Sequence, residues 1–71
     1  MDLMSKYTEE IHDYHEYKKM CREARAEEKY DLAFWLERIA ADERSHAKWL
    51  HDHLEQEGKM TPAGEELWKS V

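Results

Sequence analysis

Glu43-Arg44-Ser45-His46 sets a carboxylate and an imidazole three residues apart in a stretch with helical periodicity. A helix turns once in about 3.6 residues, so the two side chains stack on one face. That face also carries Leu32, Leu36, Ile39 and Leu50, and is therefore the face expected to be buried. A glutamate and a histidine in an apolar stripe need a partner, and one divalent metal ion serves both. The motif alone is weak, because glutamate-rich helices contain it by chance. Glu9 and His12 form a second copy, which lies off the apolar stripe and reads as solvated surface.

A third polar residue strengthens the first copy. Leu3, Tyr7, Glu10, Tyr14, Tyr17, Cys21 and Ala24 recur at helical spacing, and Glu10 interrupts an otherwise apolar or aromatic face. If the chain reverses around Ala26 to Lys29, residues whose numbers sum to about 53 lie level in the antiparallel pair. Glu10 then falls opposite Glu43, and Tyr7 opposite His46. Two carboxylates and an imidazole converge at one height.

The elements that must hold these residues are read from their punctuation. The first helix is expected over about residues 3–28, capped by Asp2 or Ser5. The second is expected over about 31–57, with Asp31 as N-cap and Gly58 just past its end. Thr61-Pro62 opens a short C-terminal helix over about 62–70. The chain is one domain, residues 1–71, of all-α class: an antiparallel helical hairpin plus a short C-terminal helix.

Composition narrows the function. A 71-residue chain buries little surface, and chains this short commonly lean on disulfides, metals or oligomers. Cys21 is the only cysteine, so no disulfide forms within the monomer; on the inward stripe it reads as a small core residue. The formal net charge is −6 with no basic stripe, which argues against nucleic acid and against an anionic membrane surface. No apolar run reaches the length of a signal peptide or membrane span, so the expected location is cytoplasmic.

Two helices cannot cover each other's apolar faces fully. The second helix has an additional stripe of small residues, Ala33, Ala40 and Ala47, continuing to Leu54, flanked by Phe34, Trp35 and Trp49. Such a stripe invites a further helix, and the simplest source is a second copy, giving a homodimeric four-helix bundle or a higher homo-oligomer. Symmetry then gathers two copies each of Glu10, Glu43 and His46. Four buried carboxylates without counter-charge are strongly unfavourable, and two divalent cations offset them. Carboxylates with one imidazole per ion suit iron or manganese, with zinc a possible substitute, and the thiolates of a structural zinc site are missing.

This pattern resembles half of a ferritin-like or rubrerythrin-type di-iron carboxylate bundle, in which Glu-x-x-His pairs and lone glutamates surround two metals. The resemblance rests on Glu10, on Tyr17 seven positions later, and on Ile39 through Ala47 with Glu43 and His46. It covers about residues 7 to 54, and is similar to short two-helix members, including encapsulated ferritins, that build the site across a dimer interface. What it implies is a ferritin-like four-helix bundle holding two iron ions per dimer, with Glu10, Glu43 and His46 as metal ligands. It also implies oxidation of Fe(II) by O2 or peroxide, in iron handling or oxidative-stress protection. Tyr17 would hydrogen-bond a ligand carboxylate or act in redox. Glu43 is the expected bridging ligand, with Glu10 and His46 terminal, though Glu10 and Glu43 could exchange roles.

Two other functions use the same sequence. The chain could be a non-enzymatic metal-binding or metal-responsive module, or a metal-free helical interaction protein using Trp35, Trp49 and Trp68. Tyr14 and Tyr17 also read as amphipathic core aromatics. His12, His15 and His51 are expected on the surface, His53 half-exposed at the end of the core, and Asp42 on a solvated face.

Overall fold

Asp2 starts the first helix, α1 (Leu3–Ala26). Its carboxylate accepts from the backbone N–H of Met4 at 3.0 Å and of Ser5 at 3.4 Å, satisfying donors that every helix start leaves free. The computed structural model describes residues 2–71. After α1 come α2 (Tyr30–Gln56) and α3 (Pro62–Trp68), with no strand among the described residues. The two long helices pack antiparallel, and α3 folds back on the end of the hairpin where α1 begins. The molecule measures 44 × 17 × 17 Å.

Both long helices end in the same way. Lys29 N–H bonds back to Ala24 and Glu28 N–H to Arg25; Lys59 N–H bonds to Leu54 and Gly58 N–H to Glu55. This paired closure needs a left-handed residue just past the helix. Gly58 (φ 68) meets that need without strain, as its position predicts. At the first helix the position is held by Glu28 (φ 60), so α1 stops at Ala26, short of the expected 28. The second helix begins at Tyr30 with Lys29 at its cap and no side-chain cap bond. Asp31, the expected cap, sits instead in the first turn, where its charge still meets the positive end of the helix.

The face of α2 that meets α1 differs from the expected one. Ala33, Leu36, Ala40, Ala47, Leu50 and Leu54 are buried, whereas Leu32 is 49% exposed. The alanine row, expected to receive a further helix, is the row on which α1 rests. Small side chains let two backbones come close, and that proximity decides the rotation of α2. Leu36, Glu43 and Leu50 lie on the margin shared by both faces. On α1 the expected face is right: Tyr7, Glu10, Cys21 and Ala24 are buried, joined by Ile11.

The core is split in two. Tyr7, Ile11, Ala47, Leu50 and Leu54 pack at one end, with Leu3, Met4, Met60, Leu67, Trp68 and Val71 against them. Cys21, Ala24, Ala33 and Leu36 pack near the turn, with Tyr17 beside them. Cys21 is 1% exposed and donates to the Ala33 carbonyl at 3.3 Å, so it is a core residue as expected. Glu43 lies between the two clusters along α2, and Glu10 lies at the inner edge of the first, between Tyr7 and Ile11.

Candidate metal centre

Glu10 is 6% exposed, a carboxylate between Tyr7 and Ile11 of the first apolar cluster. One oxygen, Oε1, lies 3.3 Å from Lys6 Nζ one turn earlier. The other, Oε2, is buried with no hydrogen-bond partner. His46 Nδ1 approaches it at 3.6 Å, which is attraction without a hydrogen bond. Glu43 completes the group: one donor atom each from Glu10, Glu43 and His46 lie within 4.8 Å of one another. The antiparallel register expected from the turn position thus brings these three side chains together. Glu43 is half-buried, while the His46 side chain is 60% exposed, because α2 is rotated toward its alanine row.

The electrostatics are those of a crowded acid pair. Glu43 is pushed up to about 7, first by its hydrogen bond to Glu10, then by burial and by the Glu10 charge itself. For Glu10, burial opposes ionisation; hydrogen bonding with Glu43 and the Lys6 ammonium, with a smaller effect of His46, outweigh it and hold its carboxyl below the usual range. Without a cation, Glu43 is therefore about half protonated near neutrality. With Glu43 ionised, Glu10 Oε2 has no donor; with Glu43 protonated, that proton serves the pair, so in either state the site is short of positive charge. Two carboxylates and an imidazole fit a first-row divalent ion.

The other expected site residue stands apart. Tyr17 packs against the turn-end cluster, two helical turns and roughly 10 Å along α1 from Glu10. Tyr14 is half-buried and sits edge-on to His15, with ring centroids 5.2 Å apart. Glu9, His12, His15 and Asp42 are exposed as expected, and His15 meets Ser70 Oγ at 2.8 Å. His53 is half-exposed as expected and stacks on Trp49 at 5.1 Å.

His51 is the correction. Expected on the surface, it is 6% exposed. It lies beneath α3: its ring stacks on Trp68 at 4.8 Å, and Nε2 is 3.2 Å from Glu65 Oε2. Burial works against a charge on this ring, but hydrogen bonds to Asp52 and Glu65 prevail and raise its pKa above the ordinary value. What buries it is a helix whose docking site was not readable from the periodicity of α2. The signal present in the sequence was α3 itself, whose Leu67, Trp68 and Val71 required an apolar seat.

No protein-family model, curated protein or solved structure matches the chain. Among the described residues, no helix is long and apolar enough to cross a membrane.

Proposed function

We propose that this chain binds divalent iron at Glu10, Glu43 and His46, in a centre shared between two copies, and that it oxidises Fe(II) there with O2 or peroxide. The observation that carries the reading is the buried Glu10 Oε2, which has no donor unless Glu43 holds a proton, in a cluster with His46 and Glu43. A buried acceptor without a donor costs about 1–3 kcal/mol, more if charged, and a bound cation removes that cost.

A second copy is supported by what surrounds the open side of the centre. Leu32, Trp35, Ile39, His46, Trp49 and His53 follow one another at helical spacing along α2. Leu32, Trp35 and Trp49 are 49%, 61% and 62% exposed, so His46 lies in a row flanked by exposed apolar side chains. A copy related by twofold symmetry covers that row and supplies a second Glu10, Glu43 and His46, giving a ferritin-like four-helix bundle with two irons. The surface of 5067 Å² also exceeds the roughly 4,700 Å² of an average monomer of this mass.

In such a centre the carboxylates favour the more highly charged Fe(III) over Fe(II), which makes oxidation easier. Each Fe(II) gives up one electron, and two irons, with two protons from solvent, take O2 to hydrogen peroxide or hydrogen peroxide to two waters. Glu43, half-buried between Glu10 and the open face, is the residue suited to touch both ions. Glu10 and His46 would be terminal ligands, one of each to an ion. Tyr17 is too far along its own helix to meet Glu10, so the proposal has it serve the centre across the interface, as a hydrogen-bonding or redox residue. The test is anaerobic loading of chelator-stripped protein with Fe(II), followed by admission of oxygen. Oxidation faster than in buffer, at about two irons per dimer and abolished by Glu43→Ala, supports the reading. Oxidation no faster than in buffer removes the activity; failure to bind iron at all removes the site.

A further inference from the structure

His51 is a buried imidazole with carboxylates at both nitrogens. Its side chain is 8% exposed. Nε2 lies 3.0 Å from Glu55 Oε1 and 3.2 Å from Glu65 Oε2, while Nδ1 lies 3.1 Å from Asp52 Oδ1. Asp52 is in turn held by Lys48 at 2.8 Å. Trp68 closes one face of the ring, and the Arg44 guanidinium lies over the far ring of that stack, 5.3 Å from the Trp68 centroid. None of these residues belongs to the Glu10 centre.

We infer that His51, Glu55 and Glu65 form a second divalent-metal site, of zinc type, that fastens α3 to the hairpin. One donor atom from each of the three lies within 4.8 Å of the others. Ligands about 2.0–2.2 Å from a tetrahedral ion stand roughly 3.3–3.5 Å apart, so the 3.0 and 3.2 Å separations at Nε2 need to open by only a few tenths of an ångström. The Asp52 carboxylate on Nδ1 is the outer partner that metal-bound histidines ordinarily have, and it leaves the Nε2 lone pair free for the ion.

Charge argues the same way. Lys48 and a protonated His51 face three carboxylates, Asp52, Glu55 and Glu65, which leaves one negative charge over. A divalent ion on a neutral His51, with Lys48, balances the three. Binding releases the Nε2 proton to solvent. One imidazole and two carboxylates leave a fourth position for water, and zinc outranks iron and manganese for such a set in intrinsic affinity. Because Glu65 lies on α3 while His51 and Glu55 lie one turn apart on α2, the ion ties the two helices together.

The experiment uses the full chain carrying Glu43→Ala and His46→Ala, so that its outcome is independent of the proposed iron centre. Chelator-stripped protein is titrated with Zn²⁺ alone by calorimetry, with amide hydrogen exchange of α3 followed in parallel. One Zn²⁺ per chain is expected, with slower exchange over residues 62–68. Glu65→Gln, close in shape to the parent, weakens binding at least tenfold and abolishes the slowing, and Asp52→Asn weakens it about tenfold. Stoichiometric binding that Glu65→Gln leaves unchanged would overturn the inference, as would the absence of binding. Should the double background variant fail to fold by circular dichroism, the parent chain is titrated instead. Glu65→Gln must then lower its Zn²⁺ capacity by one per chain, and an unchanged capacity overturns the site.

Discussion

Replacing Glu43 with glutamine keeps the size of the side chain and its ability to donate to Glu10, but removes the proton that titrates. In the metal-free fold Glu43 releases that proton only at about 7, whereas an unfolded chain releases it near 4.5. Below the unfolded value both states hold the proton and the acid pair costs nothing extra. As pH rises from there to the folded value, the unfolded state ionises first and is favoured, so stability is lost across that window. At about 1.4 kcal/mol per pH unit the full loss is at most about 3.5 kcal/mol. Glu43 is only half-buried, and solvent screening brings this down to about 1–2 kcal/mol. Unfolding entropy of about 2.1 cal/mol/K per residue makes 1 kcal/mol worth roughly 7 °C in a chain of 71 residues. Glu43→Gln should therefore raise the Tm of chelator-stripped protein by roughly 7–13 °C at about pH 8, and by almost nothing at about pH 4. Thermal unfolding followed by far-ultraviolet circular dichroism at the two pH values reads this directly. A variant less stable than the parent at the higher pH would refute the reasoning, because Glu43 would then be a satisfied structural residue.

Other consequences follow from single residues. Glu28→Gly should stabilise the chain by about 0.5–1 kcal/mol, seen as a higher Tm, since it relieves a left-handed glutamate at an exposed position. Tyr7→Phe should cost about 1 kcal/mol and speed hydrogen exchange in α3, because the Tyr7 hydroxyl donates to the Gly64 carbonyl at 2.7 Å in the core; unchanged exchange in α3 would show that this bond does not hold it. In metal-free protein the His51 contribution has the sign of a raised pKa: α3 docking is fully supported below the ordinary histidine value and weakens as pH rises through the higher folded value. Hydrogen exchange over α3 at mildly acidic and mildly alkaline pH, corrected for intrinsic rates, would contradict this if protection were greater on the alkaline side.

How far the sequence could be read depended on whether a feature was local. Asp2 capping α1, Thr61-Pro62 opening α3 and Gly58 closing α2 each depend on a few neighbouring residues, and each is found where expected. The pairing of Glu10 with Glu43 needed only the position of the turn, which an antiparallel hairpin converts into register. Rotation of α2 was harder to read, because two apolar rows lie side by side on it and the choice rests on how closely α1 approaches. Alanines at positions 33, 40 and 47 settled that in favour of close approach, which left His46 toward the outside. The burial of His51 was beyond periodicity, since it comes from a separate helix docking through Tyr7, Glu65 and Trp68. Glu28 was missed as a helix terminator because a left-handed position there would ordinarily call for glycine or asparagine.

If a second copy completes the metal centre, mass and metal content must agree when both are measured on one purified sample. Size-exclusion chromatography with light scattering, coupled to elemental analysis after loading with Fe(II), gives both. The expected result is a dimer or a multiple of dimers carrying about two irons per pair of chains, with His46→Ala losing the iron while the exposed side chain's removal leaves the helices intact. A well-folded monomer that holds no iron would contradict it.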